Sequence, residues 1–309
     1  MTERISLRRL DYFVTAAESG TMTAAAGRLH VSQSAVSMGI SELERQLGVA
    51  LVLRRKAKGL TLTEAGRLLL PEARALLACS DELRAGMAAV GRTLAGRLRV
   101  GCFTTIAPFL VPRLLEDFRA VHPDVTVDLA EGSLDDLQEL LLDGRCELAV
   151  LYETNIRQDI EYDVLYEARP HVLLPPAHPL ARQDTVALAD LAGHDMIMLD
   201  VPPSMDYFTG LLAGAGVDPA IRHRTASFEM VRSLVARGAG YSLLIQRPRV
   251  GLSYEGLPVE VRPISDPVVP MRVVLARAAG ARPTRRAAAF AHFCRTDPPP
   301  HEEANAASK

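Results

Sequence analysis

The sequence has no tryptophan, few aromatics and only four cysteines in 309 residues, and each shortage removes a class of protein. Cys79, Cys102, Cys146 and Cys294 stand far apart, with no CxxC pair and no Cys/His cluster. That argues against a disulfide scaffold or a zinc ribbon and for a reducing compartment, so a cytoplasmic location is expected. No uncharged apolar run approaches the roughly 18 residues a membrane span needs, and no membrane partner is expected. The opening MTERISLRRLDYF is charged throughout and lacks the apolar region of a secretory signal. Chemistry-bearing motifs are missing as well. The eight histidines are scattered without HExxH spacing, and neither a GxSxG elbow nor a GxxxxGK[ST] phosphate loop occurs. The sequence therefore predicts no enzyme, no metal and no cofactor. Cys102, at a strand end, could be a redox sensor, but a buried small side chain is the simpler expectation.

What is present is chain length and a hidden charge split. At roughly 100–200 residues per domain the chain holds two or three domains. Net charge is −2, yet residues 1–62 carry nine basic and five acidic residues, whereas residues 98–309 carry 21 and 28. A small basic head on an acidic body suggests that only the head meets a polyanion.

In the head, Leu7, Leu10, Phe13, Val14 and Ala17 recur at helical spacing, predicting a helix over 7–19 that Gly20 breaks. Thr23 is the expected N-cap of a helix through Leu29. Ser32 caps a third, with Val31 and Val36 placed as a hydrophobic staple and Gly48 as the stop. Two helices joined by so short a turn, behind a supporting helix, read as a helix-turn-helix. Leu51–Leu53 and Leu60–Leu62 then read as a hairpin with Arg54, Arg55, Lys56 and Lys58 near its tip, a wing suited to phosphates or a narrow minor groove.

Several stretches carry a family resemblance: L-x-x-F-x-x-x-A-E-x-G (Leu10–Gly20), T-x-A-A-x-x-L (Thr23–Leu29), V-S-Q-S-A-V-S (Val31–Ser37), I-x-x-L-E-x-x-L-G (Ile40–Gly48) and R…L-T-E-A-G (Arg54, then Leu62–Gly66). They resemble the winged helix-turn-helix of LysR-type transcriptional regulators. The resemblance implies that Ser32, Gln33, Ser34 and Ser37 face the major groove, with Thr23 on the same side and Arg54, Arg55 and Lys58 on the DNA backbone. Where the family often carries a base-reading cation stands Met38, which can pack only on a thymine methyl. Gly39 beside it costs the helix roughly 1 kcal/mol relative to Ala.

From Thr63 a long helix is expected to about Leu94, with Pro71 as a bend near its start. Leu69, Ala73, Leu76, Ser80, Leu83, Met87, Val90 and Leu94 follow an alternating 4-3 spacing, an a/d seam that predicts a dimerising coiled coil. A twofold dimer, or a tetramer of two, would present paired recognition helices to a pseudo-palindromic operator.

Beyond Leu98, short β-rich runs alternate with helices, the signature of a largely parallel sheet. The runs are 98–103, 125–130, 147–152, 171–175, 196–200, 241–245 and 271–276. An internal repeat is visible: Ser133-LDDLQELLLDGRCELAVL aligns with Ser227-FEMVRSLVARGAGYSLLI at a constant offset of 94. Two subdomains with a ligand cleft between them are therefore expected. This part, with LRVGCFTTIAPFLVPRLLEDF, His178–Leu180 and Leu188–Leu191, resembles the LysR-type effector domain, itself similar to type 2 periplasmic solute-binding proteins. Thr104 and Thr105 lead the ligand candidates because they close the first strand just before a helix. Ser133 and Ser204 sit at further helix starts, with Phe228 as an apolar wall. Such ends suit a carboxylate or similar anion, though capping alone also explains the hydroxyls.

The expected architecture is thus α/β overall: a helix-rich winged head (1–62), a linker helix (63–96), a two-lobed body (97–295) and a disordered Pro-rich tail (296–309). Lobe I is expected to comprise 97–168 and 266–295, and lobe II 169–265. The expected function is sequence-specific transcriptional regulation of LysR type. Its expected ligands are operator DNA and a small-molecule effector, with a carboxylate or other anion as the candidate class and RNA polymerase as a candidate partner. The rival readings are a transport solute-binding protein and a metabolic α/β enzyme.

Overall fold

The computed structural model describes residues 4–55, 59–88 and 94–296. The head consists of α1 (Leu7–Ser19), α2 (Met22–Leu29), α3 (Gln33–Leu47) and the wing strands β1 (Val52–Arg55) and β2 (Gly59–Leu62). Leu10, Phe13 and Val14 of α1 are buried with Val36, Ile40 and Leu43 of α3, the core that the helical spacing calls for. Gly20 ends α1 at φ 67°, where a Cβ would be strained. One cap differs from expectation. Thr21, extended at φ −147°, accepts from the Ala24 N–H at 3.1 Å, so Thr23 lies inside α2 and is exposed. A residue in extended conformation can turn its hydroxyl back onto the first free N–H groups, and one already inside the helix cannot. Ser32 caps α3 as expected, accepting from the Ala35 N–H at 3.2 Å.

The linker helix α4 (Glu64–Ala88) contains Pro71, and the expected seam divides. Ala73 is buried in the head core and Leu69 packs against it, because the first turns of α4 lie on α1. Leu76 and Leu83 remain 52% and 71% exposed. Leu94 lies beyond the helix and packs on the core of the body. Leu69 and Leu94 thus make packing contacts within the chain that the seam spacing does not foresee. Val90 lies outside the described residues, as does the side chain of Met87.

The body continues through β3 (Gly96–Phe103), α5 (Ala107–Val121), β4 (Val125–Gly132), α6 (Leu134–Leu142), β5 (Leu148–Tyr152), β6 (Ile160–Ala168), β7 (His171–Leu174), β8 (Asp195–Leu199), α7 (Ser204–Gly214), β9 (Ala220–Thr225), α8 (Phe228–Ala236), β10 (Ser242–Leu244), β11 (Glu260–Pro263), β12 (Met271–Ala278) and α9 (Arg285–Thr296). Lobe I is the five-stranded sheet β4-β3-β5-β12-β6. Here β3 runs parallel to β4 and β5, while β12 is antiparallel to both β5 and β6. Lobe II holds β10-β7-β11, antiparallel throughout, and the parallel pair β8-β9. The body is therefore mixed rather than largely parallel.

Three strands were not expected from the sequence: β6, β9 and β11. Each lies at the edge of its sheet, where one side is solvated and polar residues alternate with apolar ones, so no apolar run marks it.

The repeat extends to its hydrogen bonding. Gly144 N–H bonds the Leu141 carbonyl and Gly238 N–H the Val235 carbonyl, at 3.0 and 2.8 Å. Both α6 and α8 are nine residues long and capped by a serine. Ser133 accepts from the Asp136 N–H at 3.2 Å and Ser227 from the Met230 N–H at 3.3 Å.

Gly39 has a packing reason that helix propensity hides. A Cβ there would fall 2.5 Å from Cδ2 of the buried Tyr12 ring, so α1 and α3 approach closely only because the residue is glycine. Propensity alone would make Gly39→Ala stabilising by about 1 kcal/mol. Overpacking is expected to outweigh that and to destabilise the head by about 1–3 kcal/mol. Urea unfolding of the full chain checks it, and a variant more stable than wild type would contradict the packing.

Candidate nucleic-acid interface and interlobe cavity

The exposed side of the head is built by its caps. His30, at φ 53°, closes α2, and the Val31 N–H returns to the Ala26 carbonyl at 3.0 Å, setting the angle between α2 and α3. With Val36, Ile40 and Leu43 inward, Gln33, Ser34, Met38 and Ser41 project outward. Ser32 is exposed but engaged, sharing a hydrogen bond with Ser34 at 2.9 Å besides its cap, and Ser37 is half-buried. Met38 is 66% exposed, unusual for a thioether on a polar face.

Glu44 ties the wing to α3: its Oε1 accepts from the N–H groups of Leu51 and Val52 at 2.8 and 3.1 Å. The Leu60 N–H bonds the Gly20 carbonyl at 2.7 Å, seating β2 on the end of α1. Arg54 and Arg55 lie in β1 next to the hairpin turn. Their side chains and the whole of Lys58 fall outside the described residues.

Between the lobes is a small cavity lined by Thr105, Tyr152, Leu199, Ser204, Phe208, Phe228, Ile245 and Gln246. Three of the five expected effector residues meet there: Thr105, Ser204 and Phe228. Thr104 is exposed and does not line it: both threonines lie in the turn after β3, and there only Thr105 is buried against the cavity. Ser133 lies away from the cavity, its hydroxyl spent on the α6 cap and on Asp136 at 2.6 Å. Ser204 is itself the first residue of α7 rather than its cap, since Pro203 occupies that position, and it is buried.

Tyr152 and Gln246 were missed, and they hold the centre. Gln246 donates from Nε2 to the Tyr152 hydroxyl at 2.9 Å, joining lobe II to lobe I, and the Thr105 hydroxyl bonds the same phenol. Burial pushes the Tyr152 phenol up to about 12, so it stays neutral. The sequence carried a signal for both: one column past the end of the aligned repeat, at the same offset of 94, stand Tyr152 and Gln246. Phe109 against Phe228, with ring centroids 5.3 Å apart, adds a second contact across the lobes.

None of these lining residues is ionised at neutral pH. Positive potential comes instead from the backbone, since Thr105, Ser204 and Phe228 stand at the N-terminal ends of α5, α7 and α8. The cavity volume is about 10 Å³, enough for one water molecule.

A DNA-binding winged head carrying a two-lobed ligand-binding body is the architecture of a ligand-responsive transcriptional regulator. Residues 7–67 match the family described as "Bacterial regulatory helix-turn-helix protein, lysR family", and residues 91–298 match "LysR substrate binding domain". The chain belongs to the LysR family of transcriptional regulators. It is 31% identical over 257 residues to the "Hydrogen peroxide-inducible genes activator" of Pectobacterium carotovorum subsp. carotovorum, covering 81% of this chain and 85% of that one. Among solved structures it is similar to HinK, a LysR family regulator from Pseudomonas aeruginosa, with 35% identity and a TM-score of 0.64 over 95% of this chain and 99% of that one. A full-length OxyR variant, also from Pseudomonas aeruginosa, gives 27% identity and a TM-score of 0.71 over 94% and 98%.

The thiols divide cleanly. Cys79 on α4 is exposed, while Cys102, Cys146 and Cys294 are buried in lobe I. Burial pushes Cys146 up to about 11, Cys294 up to about 12 and Cys102 further still, leaving almost no thiolate on any of them. Titration of the native chain with a thiol reagent is expected to show one fast thiol, with the other three appearing only on unfolding. Two or more fast thiols in the native chain would contradict this burial.

Proposed function

We propose that the chain binds operator DNA as a homo-oligomer through α3 and the wing, and that a small anionic molecule held between the lobes alters that grip. The observation that carries the effector reading is the convergence of three helix N-termini and four neutral polar side chains on one interlobe cavity. That set suits a carboxylate: hydroxyls and backbone N–H groups can all donate to it, and no fixed anion competes. A cavity sized for one water means that an organic effector enters only as the lobes part, breaking the Gln246–Tyr152 bond. Ligand entry is thereby tied to the angle between the lobes.

Two relatives are named for peroxide or OxyR, but the chemistry argues against carrying that over. No cysteine stands between Cys146 and Cys294, so lobe II and its side of the cavity have no thiol to oxidise.

Two experiments test the proposal. For the effector, small mono- and dicarboxylates are screened by thermal shift on the full chain, and the best binder is then measured on Thr105→Val. Loss of a hydrogen bond to a charged group, about 1.5–3 kcal/mol, is expected to weaken binding by about 10-fold or more. A lower melting temperature with undiminished binding would assign Thr105 to capping alone.

For the head, Gln33→Ala is expected to relax sequence preference with little loss of general affinity. Arg54→Ala with Lys58→Ala is expected to weaken binding to every sequence and reduce the salt slope by about 2 for each bound subunit. An unchanged slope in that double variant would remove the wing from the interface.

A further inference from the structure

A second and far larger space lies outside the interlobe cavity. A groove of about 840 Å³ runs between the head and lobe I, with α1, α2 and α4 on one wall and β4 and the turn after α6 on the other. Its lining holds five arginines against three carboxylates. Of the carboxylates, Glu18 is shared within the groove by Arg28 at 3.1 Å and Arg74 at 3.2 Å, Asp128 lies 3.9 Å from Arg97, which is outside it, and Asp143 favours the Arg74 charge.

Three of the arginines come from two parts of the chain, Arg74 from the linker helix and Arg99 and Arg145 from lobe I, and all three line the groove. Arg74, on α4, is only 9% exposed at its side chain and also donates to the Asp143 carbonyl, yet its Nε is shut off from water without a partner. Arg99 and Arg145, exposed on lobe I, have no ion-pair partner among the described residues. Both act electrostatically on the Cys146 thiol, which also lines the groove, and Arg145 acts on Arg74. Converging like charges with an unsatisfied buried donor are costly in an empty site and favourable around an anion.

We propose that this groove is a second ligand site, which takes a small multivalent anion, an organic phosphate or a polycarboxylate, bridging Arg74 of the linker helix to Arg99 and Arg145 of lobe I. The bound anion sets the angle of the head on the body. This site does not depend on the interlobe effector reading, since it shares no residue with that cavity.

The test is a thermal-shift titration of the full chain with sodium pyrophosphate and, separately, with citrate, each at constant ionic strength against sodium chloride. The expected result is a saturable rise in Tm with at least one of them, the responding probe showing whether phosphate or carboxylate is preferred. In Arg99→Ala/Arg145→Ala the apparent affinity is expected to fall about 100-fold, about 10-fold for each lost charged hydrogen-bond donor. The conservative Arg145→Gln keeps the stem and should weaken binding too, guarding against a folding defect. Arg54→Ala/Arg55→Ala, on the wing, should leave the response intact. No rise with either probe, a rise that survives Arg99→Ala/Arg145→Ala, or one abolished only by the wing variant would each overturn the proposal. The last outcome would place the anion on the DNA-facing side.

Discussion

One buried, uncharged hydrogen bond, from Gln246 to the Tyr152 hydroxyl, joins the two lobes of this regulator at the cavity between them. Both partners are largely shut off from water, and the phenol keeps its Thr105 bond, so breaking the contact without a replacement leaves the Gln246 amide unsatisfied, at a cost of about 1–3 kcal/mol. Burial keeps the phenol neutral, so the contact is insensitive to ordinary changes of pH. It also sits beside the N-terminal ends of α5, α7 and α8. On the effector reading proposed above, closure and occupancy draw on the same few atoms.

The head is held by other means. Its core is small and helical, and its geometry comes from local devices: Thr21 and Ser32 as caps, His30 in a left-handed turn, Glu44 reaching over to hold two wing amides. Gly39 lets the ring of Tyr12 sit against α3. The recognition face is consequently a rigid surface offered by a well-packed support, which suits reading DNA edges better than a mobile loop would. Linker helix α4 is the member common to both parts. Its first turns complete the head core through Leu70 and Ala73, and Pro71 packs against Gly144 of lobe I. A change at the body thus has a physical route to the head.

Much of this was legible in the sequence because the relevant signals are periodic or local. The head helices, the Ser32 and Ser227 caps and the 94-residue repeat all follow from spacing and end chemistry, and family motifs in the head pointed to DNA. What stayed hidden depends on tertiary surroundings. Strands β6, β9 and β11 are edge strands whose polar alternation mimics loop. The a/d spacing of α4 could not reveal that Leu69 and Ala73 pack within the chain, since a seam and a docked stripe share one pattern. Thr104 and Thr105 share the turn after β3, and which of them is buried depends on how that turn packs, which spacing does not reveal. Tyr152 and Gln246 stood in a visible repeat, but their pairing is a contact between copies rather than a pattern within either.

The most direct test of the link between cavity and head is the affinity of the full chain for DNA from its own promoter region, compared between wild type and Gln246→Ala without added effector. If lobe closure biases the head, removing the latch should change that affinity by about 5-fold or more, the range of ordinary coupling energies, while leaving the salt slope unchanged. Identical affinities, with melting curves showing that both chains are folded, would contradict the account.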